Sequence, residues 1–225
     1  MSAKKRSHAP LQVTPKPTLH VAKSEQTRSA ILNAAFDFVW TRPFRDMTVQ
    51  GLMADTGVSR SAFYQYFDGR HGLMETMLEM FQAEIFKGAA PWVTGVGDPV
   101  ALVCEALTGL VDVGYRRGPF LRAITDAAPG DPRLEKAWNQ FLAGFDDAGA
   151  ARIEADQEQG LIPAFDARPV AVALNRLDAS ALLDAFGRRP RSRPEPFRGA
   201  LTRIWISTLY GAEWLAGESS TLIRT

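Results

Sequence analysis

Residues 48–73 carry the pattern that most restricts the fold of this chain, two short helices joined by a tight turn. Thr48 is a hydroxyl residue in front of an apolar stretch, and such residues cap helix N-termini. Gly57 provides the backbone freedom that a tight turn between helices requires. Ser59 then begins a second helix over 59–67. The spacing therefore predicts a helix-turn-helix.

The second helix of this motif separates polar from apolar side chains. Its predicted outward face holds Arg60, Ser61, Tyr64 and Tyr66, and its predicted inward face holds Ala62, Phe63 and Phe67. Because Phe63, Tyr64, Tyr66 and Phe67 cannot all face outward, the alternative is that one tyrosine lies partly in the core. A helix that begins Ser-Arg-Ser places hydroxyl, guanidinium and unpaired backbone N–H groups together at its positive end. Such groups bind the phosphates and base edges of nucleic acids. The alternative interpretation is an ordinary helical hairpin with two capping serines.

Charge is distributed unevenly along the chain. The first 70 residues hold ten Lys and Arg against five Asp and Glu, a net charge of +5, whereas the remaining residues carry −4. A basic end on a mildly acidic body suits a polyanionic partner at that end only. Residues 1–23 contain three prolines and no acid, which predicts a disordered basic arm.

Length and composition restrict the class of protein further. At 225 residues and 46% hydrophobic, the chain is long enough to bury a core in one or two domains. Its single cysteine, Cys104, excludes an internal disulfide framework and fits a reducing cytosol. With no recognisable leader and no bilayer-length apolar run, a soluble cytoplasmic protein without a membrane partner is expected. No phosphate loop, zinc spacing or nucleophile elbow is recognisable, so no enzyme, cofactor or metal is expected.

Hydrophobic periodicity and Pro/Gly punctuation predict helices along the whole chain and no strand. Beyond the helix-turn-helix, the predicted helices cover 24–41, 70–87, 99–116, 119–127, 131–159, 167–186 and 195–216. The helix over 70–87 is long enough to connect the N-terminal motif to the rest of the molecule. The basic, proline-rich segment 188–196 is interpreted as a solvated connector between the last two helices. The predicted fold class is therefore all-α.

Two features of the C-terminal helices suit either a core or a ligand pocket. One is an apolar stripe at i, i+3, i+4 and i+7, formed by Trp138, Phe141, Leu142 and Phe145. Core packing alone explains such a stripe. The other is a polar pair, Asn175 and Asp178, which shares one face of an apolar helix with Leu182. Buried polar side chains need partners, which a ligand or trapped water supplies, but exposed ones do not. The residues alone leave both interpretations open.

The segment from Arg28 to Phe81 resembles the DNA-binding domain of TetR-family bacterial regulators. That resemblance rests on ILNAAFDFVW, DMTV, GVSRSAFYQYF and DGRHGLMETML. Nearer the C-terminus, ALNRLDASALLDAF and RIWISTLYGAEW resemble the ligand-domain ends of the EthR-like branch of that family. The two resemblances together cover most of residues 28–214.

The resemblance implies a ligand-responsive transcriptional repressor. It would bind a palindromic double-stranded DNA operator as a homodimer and be released by a small apolar or amphipathic effector. Its implied parts are a disordered basic arm (1–23), a helix-turn-helix domain (24–69) and a ligand-binding and dimerisation domain (70–225) that begins with the connecting helix 70–87. The last two helices would form the dimer interface through the small residues Ala171, Ala179, Ala185 and Ala200. Two alternatives stay open: a helical protein-interaction scaffold with a non-functional DNA reader, and an activator or corepressor-dependent regulator.

The same resemblance implies roles for individual residues of the motif. The residues that would position the protein on DNA phosphates are Thr48, Ser59, Tyr64, Tyr66 and Arg70. Arg60 and Ser61 are the better candidates for reading base edges. Arg70 stands where the family usually has a lysine, and the exchange keeps the charge while permitting a bidentate phosphate contact.

The helical body, by resemblance, encloses a mostly apolar tunnel. Its implied ligand-binding residues are Val103, Leu107, Leu110, Gly114, Trp138, Phe141, Leu142, Phe145, Asn175, Asp178, Leu182, Leu183 and Trp205. Asp178 stands where the branch has an Asn, and Leu183 where it has an aromatic residue. Val103, Leu110 and Gly114 stand where bulkier aromatic side chains occur. These departures predict a wider, more acidic cavity, and an ionisable Asp178 would favour a ligand with an amine or several hydrogen-bond donors.

Overall fold

The computed structural model describes residues 19–54 and 56–211, with side chains from Lys23 onward. Its helices are α1 (Leu19–Thr41), α2 (Val49–Ala54), α3 (Arg60–Tyr66), α4 (Gly69–Thr94), α5 (Pro99–Ala127), α6 (Pro132–Glu158), α7 (Ala167–Phe186) and α8 (Pro194–Leu209). Single 3₁₀ turns cover Phe44–Asp46 and Ala128–Gly130. No strand occurs in these ranges, and the all-α prediction is confirmed.

Both ends of the described chain differ from the prediction. α1 begins at Leu19 rather than at residue 24, because the segment LHVAK contains no helix breaker. Residues 19–23 are therefore not part of a disordered arm, and the rest of the predicted arm lies outside the described residues. α8 ends at Leu209 rather than at residue 216, because Gly211 has a φ of 92°, which a right-handed helix does not accommodate. Residues 212–225 also lie outside the described part.

α4 continues to Thr94, beyond the predicted end at Lys87, although Pro91 lies inside it. A proline removes one helical hydrogen bond, so the turn that follows needs another source of stability. Trp92 supplies it, because its ring is buried and packs edge-on against Trp205 with centroids 5.1 Å apart. Burial of a side chain of this size stabilises the last turn by roughly 2–3 kcal/mol.

α5 is one helix where two had been predicted, since it passes through Pro119. Pro119 has no N–H, so the carbonyl of Tyr115, four residues earlier, loses its helical partner. The Arg191 guanidinium replaces the missing donor, with its Nη1 2.5 Å from the Tyr115 carbonyl oxygen. A side chain from the loop between α7 and α8 therefore keeps α5 continuous.

The long helices α4 and α5 form the centre of the body. α4 packs on α5 and α6, and α5 also packs on α7 and α8. The shared core includes the fully buried rings of Phe81, Phe120 and Phe186. Among the helices of the described ranges, none combines the length and apolarity that a bilayer-spanning segment needs. Because α4 follows α3 after two residues and its later turns pack on α5 and α6, it connects the two parts of the molecule.

Candidate DNA interface and candidate ligand cavity

The helix-turn-helix is built by side-chain caps. Thr48 Oγ1 accepts a hydrogen bond from the Gly51 N–H at 3.0 Å, and Ser59 Oγ accepts one from the Ala62 N–H at 3.2 Å. Both predicted caps are confirmed. Gly57 makes the turn between α2 and α3 with a φ of 68°, a conformation that disfavours side chains. These local interactions fix where α3 begins and therefore which of its side chains face outward.

The outward face of α3 is polar and charged. Ser59, Arg60, Ser61 and Tyr64 are exposed, and the Arg60 guanidinium lies 5.9 Å from the centre of the Tyr64 ring. The hydroxyls of Ser59 and Ser61 are 3.0 Å apart at the helix start. A cation, two hydroxyls and the unpaired N–H groups of the first turn therefore share one surface, which suits phosphate and base edges.

The inward face of α3 agrees with the prediction except at Tyr66. Phe63 and Phe67 are buried, and Ala62 is half-buried. Tyr66 is half-buried as well, and its hydroxyl lies 3.2 Å from Ser24 Oγ on α1. The predicted outward orientation of Tyr66 is wrong, because the phenol packs across to α1 and forms a hydroxyl pair there.

Arg70 is held at the start of α4 against the helix-turn-helix. Its guanidinium lies 5.5 Å from the centre of the Phe44 ring, and Nη1 donates to the Arg45 carbonyl oxygen at 3.4 Å. Within the described part of the chain, one of its five N–H groups has a hydrogen-bonded partner. The remaining donors are free to point to a phosphate.

A cavity of about 90 Å³ lies in the body between α4, α5, α6, α7 and α8. Eleven of the predicted ligand residues line it: Val103, Leu107, Leu110, Trp138, Phe141, Leu142, Phe145, Asn175, Asp178, Leu182 and Trp205. A further wall, which was not among the predicted residues, comes from α4 and is formed by Phe81, Ile85, Ala89, Trp92 and Val93. Those residues recur with helical spacing, and the stripe would have been recognisable had α4 been extended beyond Lys87.

Gly114 and Leu183 do not line the cavity. A Cβ atom at Gly114 would lie 2.7 Å from Cδ2 of Leu182, so the Leu182 side chain occupies the space between Gly114 and the cavity. Successive residues of a helix differ in direction by about 100°. With Leu182 facing inward, Leu183 therefore points elsewhere, towards Gly187.

Stacked aromatic rings form the α6 wall of the cavity. The ring of Phe141 stacks on Trp138 at 4.9 Å and on Phe81 at 5.7 Å, and the ring of Phe145 stacks on Phe86 at 4.3 Å. Phe141 is buried, whereas Trp138 and Phe145 are half-buried. The stripe on α6 is therefore both core and cavity wall, which reconciles the two interpretations of the sequence.

Asp178 is the only ionisable residue among those that line the cavity. The side chain is buried, and its Oδ1 accepts a hydrogen bond from Trp205 Nε1 at 3.1 Å. Burial raises the pKa of the Asp178 carboxyl from 3.8 to about 7, and the bond from Trp205 opposes part of that rise. A carboxyl of this kind gains a proton or a donor from its surroundings more readily than an exposed one.

Asn175 lies one turn before Asp178 and is oriented by a charged pair. Its Nδ2 donates to Asp146 Oδ1 at 3.0 Å, and Arg176 donates to both oxygens of the same carboxylate at 3.1 and 2.8 Å. The bond to Asp146 uses one of the two amide N–H groups, so the carbonyl oxygen and the second N–H of the Asn175 side chain remain. Asn175 and Asp178 therefore both offer oxygen acceptors on the α7 side of the cavity.

A second buried network holds the Trp92 wall. Trp92 Nε1 donates to the Tyr210 hydroxyl at 2.8 Å, and that hydroxyl donates to Asp156 Oδ2 at 2.6 Å. Arg152 Nε lies 3.0 Å from Asp156 Oδ1, and Arg152 Nη1 donates to the Gly95 carbonyl oxygen at 2.8 Å. Burial and the bond to Asp156 raise the pKa of the Tyr210 phenol above its usual range. The network ties α4, α6 and the end of α8 together.

The loop between α7 and α8 connects the body to α1. The guanidinium carbons of Arg189 and Arg191 each lie 4.8 Å from the centre of the Trp40 ring, and Arg191 also lies 3.8 Å from that of Tyr115. Arg117 lies 4.1 Å from the Phe36 ring of α1. The interpretation of residues 188–196 as a merely solvated connector is therefore wrong, because two of its arginines pack on the Trp40 ring near the end of α1.

A polar contact joins the start of α6 to the start of α4. Arg133 pairs with Asp68 at 2.8 Å and with Glu75 at 2.6 Å, and His71 Nε2 lies 2.7 Å from Asp131 Oδ2. Besides the continuous backbone of α4, the helix-turn-helix domain therefore meets the body through this contact, through the loop on Trp40, and through the packing of α1 on α5 at Phe36 and Phe120.

Known proteins share both parts of this architecture. The family model described as bacterial regulatory proteins, tetR family, matches residues 31–77, and the one described as the C-terminal domain of transcriptional regulator EthR matches residues 103–211. The chain is 25% identical over 190 residues to the HTH-type transcriptional regulator EthR of Mycolicibacterium smegmatis, covering 83% of this chain and 88% of the relative. The corresponding protein of Mycobacterium tuberculosis is 26% identical over 190 residues, covering 81% and 86%.

Solved structures show the same fold. A TetR-family transcriptional regulator from Syntrophomonas wolfei superposes with a TM-score of 0.72 at 15% identity, covering 82% of this chain and 95% of that one. The matching domains and relatives are DNA-binding helix-turn-helix transcriptional regulators rather than enzymes. The chain belongs to the TetR family, in its EthR-like branch.

Proposed function

We propose that the chain represses transcription as a homodimer on a palindromic operator and leaves the DNA when a small apolar or amphipathic effector fills the cavity. The observation that carries this proposal is the course of α4. Its first turn holds Arg70 beside the helix-turn-helix, and its later turns supply Phe81, Ile85 and Trp92 to the cavity wall. An effector that displaces this wall moves the helix that supports the DNA reader, so ligand shifts the population of DNA-binding conformations.

On DNA, α3 would lie in the major groove. Arg60 and Ser61, at its exposed start, would read base edges. The phosphate contacts would come from the surrounding hydroxyls and cation, namely Thr48, Ser59, Tyr64 and Arg70, with the Ser24–Tyr66 hydroxyl pair at the edge of the same surface. We place the working division of the chain at residue 69, with the reader over 24–69 and the ligand-binding body from 70 onward.

We propose that α7 and α8 form the dimer interface through their outward faces. Leu177 on α7 and Ile204 on α8 are apolar yet 37% and 38% exposed in the protomer, which a second copy would cover. The small residues predicted for this role are mostly elsewhere: Ala171 and Ala185 are buried within the protomer and Ala179 lines the cavity, whereas Ala200 is exposed. Two-fold symmetry would set two α3 helices about 34–36 Å apart, in successive major grooves.

The size of the cavity supports an effector that opens it. Its volume of about 90 Å³ is smaller than the roughly 150 Å³ in which an engineered protein cavity holds benzene. Any ring-sized effector would therefore displace side chains, and the half-buried Trp138, Leu142 and Phe145 form the wall that faces solvent. We place the entrance there. A coupling free energy of about 1–3 kcal/mol between cavity and reader would weaken operator binding markedly.

The loop arginines provide a second route for this coupling. α7 contributes Asn175, Asp178 and Leu182 to the cavity, and the loop that follows α7 carries Arg189 and Arg191 onto Trp40 of α1. A shift of α7 on ligand binding would move these cations relative to the reader. The reader would then respond from two sides, through α4 and through α1.

Fluorescence anisotropy with labelled duplexes that tile the promoter of the chain's own gene tests the proposal. We expect one duplex to bind specifically, with an affinity that falls steeply between 50 and 200 mM salt as counterion release predicts. Arg60→Ala should cost about 1–3 kcal/mol and relax the preference at one base pair. Lys136→Ala, which removes an exposed cation of α6, should bind like the wild type.

Two other outcomes identify the rival functions. Failure to bind any duplex at low salt would favour the protein-interaction scaffold and overturn the repressor proposal. An effector that tightens rather than weakens duplex binding would make the chain a corepressor-dependent regulator, since the sign of the coupling depends on which conformation the ligand selects.

A further inference from the structure

Three carboxylates of the described residues are buried, and their partners differ. Asp146 is paired with Arg176 at 2.8 Å, and Asp156 with Arg152 at 3.0 Å. Asp178 has no Lys, Arg or His partner in the described part of the chain, and its one hydrogen bond comes from the neutral indole of Trp205. A buried carboxylate without a counter-charge is unfavourable, so Asp178 either takes up a proton or pairs with a cationic donor from outside the protomer's own side chains.

The place of Asp178 shows where that partner would come from. Its carboxyl lies in the wall of the cavity, whereas the two paired carboxylates, Asp146 and Asp156, do not line it. Trp205 occupies Oδ1, so Oδ2 remains to accept a hydrogen bond from a molecule in the cavity. From these positions we infer that the effector is an apolar amine, whose ammonium group donates to Asp178 and whose hydrocarbon part lies among the aromatic and aliphatic walls.

The surrounding residues narrow the class of amine. Apart from Asn175 and Asp178, the cavity is lined by apolar side chains, glycine and the rings of tryptophan and phenylalanine. Asn175 stands one helical turn from Asp178, and its carbonyl oxygen gives the α7 side a second hydrogen-bond acceptor, while one amide N–H is held by Asp146. A primary or secondary amine supplies N–H donors for these acceptors, whereas a quaternary ammonium has none. An alcohol supplies one donor and no charge, and should bind more weakly.

This inference rests on the proposed role of the cavity as an effector site, and matched probes separate the two. The probes are n-butylamine with 1-butanol, and benzylamine with benzyl alcohol, each titrated at pH 8 into ¹⁵N-labelled full-length protein. The indole N–H of Trp205 bonds directly to Asp178 and reports binding, and Trp205→Phe assigns its resonance. We expect each amine to bind at least about tenfold more tightly than its alcohol, a preference that charge-assisted hydrogen bonds support.

Two variants show whether Asp178 causes the preference. Asp178→Asn keeps an acceptor for Trp205 but removes the charge, and it should bring the amine-to-alcohol affinity ratio close to one. Glu105→Gln removes an exposed carboxylate from α5, a helix of the same cavity, and should keep the wild-type ratio. If Asp178→Asn does not fold, the amine-to-alcohol affinity ratio of the wild type still decides whether the cavity prefers an amine.

The possible failures have different meanings. Equal affinity of the wild type for amine and alcohol, or an unchanged ratio in Asp178→Asn, would overturn the amine inference and leave the cavity as an effector site. If none of the four probes perturbs the Trp205 resonance at millimolar concentration, both the inference and the proposed role of the cavity are overturned.

Discussion

Asp178→Asn should make this protein more stable at alkaline pH, which is unusual for a substitution at a buried hydrogen-bonded residue. The carboxyl of Asp178 has a pKa of about 7 in the folded protein, because burial disfavours its ionised form, against 3.8 for the unperturbed group. Between these values the folded state binds more protons at this site than the unfolded state. Stability therefore falls as pH rises from about 4 to about 7.

The size of this effect follows from proton linkage. Each pH unit over which one proton separates the two states changes the unfolding free energy by about 1.4 kcal/mol, so the full loss is on the order of 4 kcal/mol. Asparagine is neutral at every pH and still offers an oxygen to Trp205, so it resembles the protonated acid. The wild type and Asp178→Asn should be of similar stability near pH 4 and should diverge towards pH 8.

Urea unfolding of both proteins at pH 5, 6, 7 and 8 measures the divergence. The difference in unfolding free energy between variant and wild type isolates the site, because other titrating groups contribute equally to both. We expect the difference to rise in favour of the asparagine variant by roughly 2–3 kcal/mol between pH 5 and pH 8. The unfolding free energy of Glu105→Gln, a variant at an exposed site, should change with pH as that of the wild type does. If the unfolding free energies of the wild type and Asp178→Asn changed with pH in parallel, the argument that burial without a charged partner raises the pKa of this carboxyl would be refuted.

Three further predictions test the buried network around Tyr210, the contact of the α7–α8 loop with α1, and the dimer. Tyr210→Phe should cost about 1–3 kcal/mol in urea unfolding, because the Trp92 indole N–H loses its acceptor and Asp156 loses the donor to Oδ2 while keeping Arg152. Tyr64→Phe, at a site 52% exposed, should change little. Arg191→Gln should lower the unfolding free energy by about 1–2 kcal/mol and reduce the effector-induced loss of duplex affinity measured by anisotropy. A wild-type loss of duplex affinity on effector binding would exclude the loop as a coupling route. Arg193→Gln, at an exposed position of the same loop, is the control. Ile204→Asp should shift the sedimentation coefficient from dimer to monomer, and an unchanged dimer would place the interface elsewhere.

Local chemistry determined the parts of this protein that the sequence analysis predicted correctly. A helix cap needs only a hydroxyl and an N–H three residues away, so Thr48 and Ser59 marked the starts of α2 and α3. Periodicity placed α7 over 167–186 as observed and put the α6 stripe (Trp138, Phe141, Leu142 and Phe145) on one face, which lines the cavity. The cavity residues of α5 came from the family resemblance. The family and the all-α class followed from the same short-range patterns.

Tertiary structure decided what depended on partners distant in the chain. Whether α5 continued through Pro119 depended on a donor for the carbonyl of Tyr115, which Arg191 supplies from 76 residues away. Which buried carboxylates received a counter-charge was also decided by packing: Asp146 meets Arg176, 30 residues on, whereas the partner of Asp178 among the described residues is the neutral indole of Trp205. No local pattern encodes such pairings, since they depend on which helix surfaces face each other. The continuity of the long helices and the uncompensated acid of the cavity are therefore properties of the folded molecule.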